Sequence, residues 1–240
     1  MFKRTHHQAI EQVLRLMNAD LLKAHQCYFG GGTAIALRHG EYRESVDIDL
    51  MVSDLASYRA LRTLVRESGS VLVLFNENTT LISQLREVRA DQYGIRTAIG
   101  LGQHYIKFEI VLEGRIEFET PKVADEVCGV ATLSVVDLLA SKLLANSDRW
   151  ADEGVFNRDL IDLAMMKPSF DVFAKALSKA ETAYGQSIQQ DLEKAIGKLL
   201  DKPDWLEKCM RAMGMSDTAP ASLVTAILSL RGVLRKLNGI

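Results

Sequence analysis

Residues Phe29–Leu50 read FGGGTAIALRHGEYRESVDIDL. The segment sets a glycine turn and a short helix ahead of a strand expected over Val46–Val52. Strand side chains alternate with period two, so Asp47 and Asp49 project from one face and Val46, Ile48 and Leu50 from the other. Two acids side by side pack poorly but suit a hard divalent cation, which takes oxygen ligands and commonly keeps substrate phosphates among them. A turn rich in backbone N–H groups beside those acids suits the phosphates. A glycine triplet alone is usually just a turn, and an Asp-x-Asp pair alone is usually a solvated strand end. Their order, with Arg43 and Ser45 between them, points to nucleotide–metal chemistry. The glycines are not a P-loop, since no Gly-Lys-[Ser/Thr] follows and GxGxxG is absent.

The rest of the composition narrows the class. The chain has 240 residues, enough for one large domain or two modest ones with a real core. Its net charge of −2 provides no global basic field that would announce a nucleic-acid binder. Arg59, Arg62 and Arg66 form a local basic cluster, read as a solvated helix face. Cys27, Cys128 and Cys209 are widely separated, with no Cys-x-x-Cys spacing, and fit neither a disulfide framework nor a zinc site. The polar N-terminus has no apolar signal region, and no run approaches the roughly 18 apolar residues of a spanning helix. A cytoplasmic protein with no membrane partner is expected.

Periodicity predicts a helix over Gln8–His25, a strand over Cys27–Gly30, a helix over Thr33–His39, and a helix to Ser68 capped by Ser53. Val71–Phe75, Ile95–Leu101 and His104–Leu112 read as strands, with a turn at Gly102–Gln103 and a possible continuation at Ile116–Phe118. Beyond Thr132 the pattern is helical, with elements expected from Leu133 and then at Arg158–Met166, Asp171–Tyr184, Ile188–Leu200, Pro203–Met213 and Ala221–Leu237. The expected fold is α+β: a mixed sheet with flanking helices over residues 1–125, then a helical bundle over 126–240.

Gly31, Gly32, Thr33, Ala34, Leu37, Arg38, Arg43, Ser45 and the Asp47-Ile48-Asp49-Leu50 run resemble the AbiEii/AbiGii toxin family, within the DNA polymerase β-like nucleotidyltransferase superfamily. A second match runs from LLASKLLA (Leu138–Ala145), through Asp148-Arg149, to Arg158-Asp159-Leu-Ile-Asp162-Leu163. Together they span about residues 27–166, a range set by motif matching. The resemblance implies the nucleotidyltransferase fold for the sheet domain. It also implies NTP as substrate, an RNA acceptor such as the 3′ end of tRNA, a cognate antitoxin, and a role in toxin–antitoxin or phage-defence biology. An antibiotic-type enzyme with a small acceptor, or a module that has lost catalysis, are the alternatives.

Transfer of an NMP unit needs charge neutralised on the attacking and leaving oxygens, which two magnesium ions bridged by carboxylates supply. Asp47 and Asp49 are the expected metal ligands. Superfamily members add a third acid from a neighbouring strand, here Glu109, which would also accept the nucleophile's proton. The competing reading is that Glu109 merely pairs with Lys107 or sits on a solvated face; Glu113 and Glu117 are weaker substitutes. Gly31 and Gly32 let backbone approach the triphosphate, Thr33 offers a hydroxyl, and Arg43 and Ser45 are further phosphate contacts. Arg43 has Glu41 and Glu44 as alternative partners. Lys142 interrupts an apolar segment; the resemblance gives it a phosphate contact, the bland alternative a snorkelling stem. Asp159 and Asp162 lie three apart on one helix face. The resemblance places one of them near the nucleotide; Arg149 and Arg158 are candidate braces, and a purely structural Arg–Asp network of the four is the alternative.

Overall fold

The computed structural model describes residues 2–77, 79–237 and 239. The chain divides into two compact units, the first over Met1–Arg38 and Ser45–Ser134, the second over His39–Glu44 and Val135–Ile240.

The first unit is a mixed sheet with helices. Its strands are β1 (Tyr28–Gly30), β2 (Ile48–Val52), β3 (Ile82–Gln84), β4 (Arg89–Ala90), β5 (Gly94–Leu101) and β6 (His104–Leu112). They run in the order β1-β2-β6-β5-β3, with β4 also paired to β5. Only β2 and β6 are parallel among these pairs. Alternation gives the sheet two unlike faces. Ile48, Leu50 and Val52 of β2, Ile106, Phe108 and Ile110 of β6, and Ile95 and Ile99 of β5 are buried on one. The other carries Asp49, Lys107, Glu109 and Arg96, which the register brings side by side.

Helices α1 (Thr5–Leu16), α2 (Ala19–Ala24), α3 (Gly31–Arg38) and α4 (Leu55–Ser68) complete the unit. The single helix expected over Gln8–His25 is broken at Met17, whose extended backbone bridges Phe75. Asn18 explains the restart: its side-chain oxygen accepts from Leu21 N at 3.0 Å and caps α2. Helix α4 is capped by Asp54, which accepts from Ser57 N at 2.7 Å, and not by Ser53. Ser53 instead accepts from Phe118 N at 2.9 Å, so the Ile116–Phe118 segment is tied down without joining the sheet. Val71–Leu74 is a 3-10 turn and not a strand, started by Ser70 Oγ accepting from Leu72 N. A four-residue apolar run is read equally well either way.

The second unit is helical: α5 (Val135–Arg149), α6 (Arg158–Met165), α7 (Phe170–Tyr184), α8 (Ser187–Leu200), α9 (Pro203–Ala212) and α10 (Pro220–Leu237). Helix α5 packs against α6, α7 and α8 through Leu139, Ala140, Leu143 and Leu144, all fully buried. Residues His39–Glu44 join this unit, Glu44 N donating to Met213 O at 2.9 Å. Among the described residues no helix is long and apolar enough to cross a membrane.

Candidate active site

Strand β1 ends at Gly30 and α3 begins at Gly31, two residues earlier than the sequence suggests. Gly30 pairs directly with Asp49 across β1 and β2. Gly31 has φ +68°, and a Cβ placed there would strike the Asp49 carboxylate, with its Cβ and Cγ both at 2.9 Å. A side chain at 31 is therefore excluded twice, by backbone conformation and by the acid beside it. The same contact fixes the geometry of interest. The N-terminus of α3, whose first N–H groups have no intrahelical partner and which is the positive end of the helix dipole, abuts the Asp49 carboxylate. Thr33 is buried in the first turn, its Oγ1 2.8 Å from Ser45 Oγ. Ser45 N donates to Nε2 of buried His7 at 3.2 Å, which ties the approach to Asp47 down on α1.

Asp47 lies one residue ahead of β2, which begins at Ile48, so only Asp49 of the pair is in a regular strand. Val46 is 39 % exposed and not on the apolar face. Its backbone carbonyl meets His6 Nε2 at 3.3 Å, outside the ladder. Asp47 and Asp49 are both partly buried, flanking fully buried Ile48. Across the parallel pairing Asp49 stands opposite Glu109. Glu109 receives Lys107 Nζ at 2.8 Å and Arg96 Nε at 3.4 Å, so the pairing with Lys107 is present. Burial would lower the Lys107 ammonium's pKa, but Glu109, then Asp47 and Asp49, raise it. One ammonium thus feels all three acids. Glu113 instead closes on Arg115 at 2.7 Å, and Glu117 is exposed.

No group of three His, Cys, Asp or Glu side chains among the described residues is arranged to hold a metal by itself. Asp47, Asp49 and Glu109 are the carboxylates of this site, and oxygen donors of that kind are the ones a hard divalent cation takes.

The second unit holds a separate buried charge cluster. Lys142 is only 7 % exposed and does not snorkel; its Nζ lies 2.8 Å from Asp159 Oδ1 and 2.7 Å from Asp162 Oδ2. Arg43 Nε and Nη2 donate to the two oxygens of Asp162 at 2.7 and 3.0 Å, a forked pair, and Nη1 donates to Glu44 O. Tyr42 Oη donates to the same carboxylate. Arg149 braces Asp159 from 2.7 Å, whereas Arg158 is exposed. Burial alone would raise both carboxyl pKa values, but Arg43 and Lys142 hold Asp162 below the ordinary range, and Lys142 and Arg149 do the same for Asp159. Burial and the neighbouring Asp162 push the Tyr42 phenol up, keeping it a neutral donor. Three cations thus converge on two acids. Asp162 ties Arg43 to Lys142, and Asp159 ties Lys142 to Arg149.

Tyr42 and Arg96 carry parts of these clusters that the sequence pattern did not single out. Arg96 was visible as the charged member of a largely apolar β5. Tyr42 offered only an aromatic ring inside a polar loop.

The fold is similar to that of JHP933 from Helicobacter pylori, at 14 % identity and TM-score 0.53, covering 100 % of this chain and 96 % of that one. A second H. pylori structure, provisionally designated a nucleotidyltransferase, aligns at 15 % identity and TM-score 0.49 over 97 % of this chain and 95 % of that one. No curated protein matches by sequence. The family model described as the nucleotidyl transferase AbiEii toxin of a type IV toxin–antitoxin system matches residues 13–221. With most of its length so matched, the chain belongs to the AbiEii nucleotidyl transferase toxin family.

Proposed function

We propose that this nucleotidyltransferase toxin moves an NMP unit from an NTP to the 3′ hydroxyl of an RNA acceptor, a tRNA end foremost, with magnesium held by Asp47 and Asp49. The acceptor oxygen forms a bond to the α-phosphorus as the bond to the α,β-bridging oxygen breaks, and pyrophosphate leaves. The hydroxyl proton passes to Glu109. When bound, magnesium would neutralise charge on the attacking and leaving oxygens. The α3 N-terminus at Gly31, Gly32 and Thr33 receives phosphate oxygens through backbone N–H groups. Thr33 and Ser45 hold each other's hydroxyls in that turn. Arg43 and Lys142 are further candidates for nucleotide contact, kept charged by Asp159 and Asp162. A type IV system implies a nucleotide substrate and an antitoxin partner.

The observation that carries this reading is the close approach of Gly31 to the Asp49 carboxylate, which joins a phosphate-type cradle to a metal-type acid. The test is incubation of the protein with each labelled NTP, magnesium and total RNA. Label should enter RNA, vanish with chelator, and fall more than about 100-fold in Asp49→Asn, beyond the 10–100-fold typical of losing a supporting residue. Absence of labelled RNA with all nucleotides, while a small hydroxylated acceptor is labelled, would move the acceptor out of RNA.

A further inference from the structure

The sheet face that carries Asp49 continues beyond the acids into a basic and aromatic surface that nucleotide and metal chemistry do not require. Along β6, Tyr105, Lys107 and Val111 share a face with Glu109. Across the ladder, Arg96 stands opposite Glu109, and Arg89 of β4 stands opposite Arg96. Arg86 lies with its guanidinium carbon 5.4 Å from the centre of the Tyr105 ring. Tyr105 is 47 % exposed and Leu85 49 % exposed, a high value for large apolar groups on a sheet. Gly100, the cross-strand partner of Tyr105, leaves the space that Leu85 occupies: a Cβ there would meet the Leu85 side chain at 3.1 Å. At roughly 3.4 Å per residue, Tyr105 lies about 14 Å along the strand from Glu109.

Two of these features argue for a ligand. Arginines placed directly opposite on neighbouring strands repel each other. Asp91 and Glu109 pair with Arg96 at 3.1 and 3.4 Å, Glu109 also pairing with Lys107, while Arg86 and Arg89 stay exposed. With the Arg86 guanidinium over one face of the exposed ring, a base can stack on the guanidinium plane or on the ring's other face, and flanking cations track a phosphate backbone. Net charge is −2, so this cationic strip is local and not a consequence of composition. A duplex would hide its base faces from Tyr105, whereas a single strand offers them.

We propose that this face, from Arg89 and Arg86 through Tyr105 to Lys107, is the track for the single-stranded end of the acceptor nucleic acid. A base stacks on Tyr105, phosphates lie along Arg86, Arg89 and Lys107, and the terminal hydroxyl is delivered toward Glu109 and Asp49. The assignment of the strand as acceptor rests on the proposed transfer to RNA; the strand-binding surface does not.

The test measures binding of the full chain to a short 5′-labelled single-stranded RNA by fluorescence anisotropy, without NTP, beside a blunt duplex. The single strand should bind more tightly. Tyr105→Ala should weaken it about tenfold, the size of one base–aromatic stack, and Tyr105→Phe should bind as the wild type. Arg89→Ala should lower the slope of log affinity against log salt by about 0.7, one single-strand phosphate contact. Unchanged affinity in Tyr105→Ala, equal binding of the duplex, or a raised KM for the NTP with unchanged RNA affinity would overturn the proposal. Labelling of RNA by a wild type whose Tyr105→Ala variant binds normally removes this face alone. Binding through Tyr105 with no labelled RNA removes the acceptor role and leaves the strand-binding surface standing.

Discussion

Gly31 shows how one position can bind chemistry to backbone. Its left-handed φ of +68° and its contact with Asp49 both exclude a side chain. Gly31→Ala is expected to cost at least about 1–2 kcal/mol from the backbone conformation alone. The displaced carboxylate should raise the KM for NTP or metal; denaturant midpoints and initial rates check the two effects separately. Much of this was legible in the sequence, because glycines followed by an Asp-x-Asp strand carry chemistry in their order. The start of β2 was not. Val46 alternates correctly for a strand, but the chain at Ser45 and Val46 is held by His7 and His6 on α1, which a local pattern does not reveal. Glu109 was legible as a polar residue on a half-apolar strand. Its pairing with Arg96 depends on a register fixed only once β5 and β6 fold together.

Helix α6 illustrates the same limit at the level of elements. Asp159 and Asp162 could be read as neighbours on one face from their spacing of three, and Lys142 as an anomaly in an apolar helix. Nothing local showed that Arg43, 119 residues away from Asp162, would complete the cluster. Removing one partner from a buried pair costs about 3–5 kcal/mol, because the other charge is left unsolvated. Asp162→Asn should therefore destabilise the chain by that order, read as a fall of roughly 10 °C in melting temperature. An unchanged melting temperature would show that the cluster is not held by this carboxylate. Helix breaks and caps followed the same rule: Asn18 and Asp54 are standard caps, yet adjacent Ser53 was an equally good candidate until Phe118 claimed it.

For the whole molecule, the buried cluster sets a pH window. The Asp159 and Asp162 carboxyls are held below their ordinary range, so their contribution to stability is present above about pH 4 and is lost as pH falls through the depressed values. Burial would lower the Lys142 ammonium's pKa, but Asp159 and Asp162 raise it, so its contribution is present below about pH 10.4 and is lost only as pH rises through the raised value. Thermal melts should be flat across neutral pH and fall on the acid side below about pH 4, with that fall blunted in Asp162→Asn. A fall already complete by neutral pH would sink this account. The larger division into a mixed sheet and a helical bundle was readable from the change in periodicity after Thr132. The membership of His39–Glu44 in the helical unit was not, since six loop residues carry no period at all.

That short excursion means the polypeptide passes from one unit to the other three times, at 38/39, 44/45 and 134/135. No single scission separates them cleanly. A fragment ending at Ser134 keeps Tyr42 and Arg43 but loses Asp162, so an arginine built for a forked carboxylate is orphaned a few residues ahead of the strand that bears Asp49. Such a fragment should sediment as aggregate or melt without cooperativity, and a monodisperse, sharply melting fragment would contradict this. Recombination between relatives faces the same constraint: an exchanged helical half must bring a carboxylate that suits the recipient's Arg43.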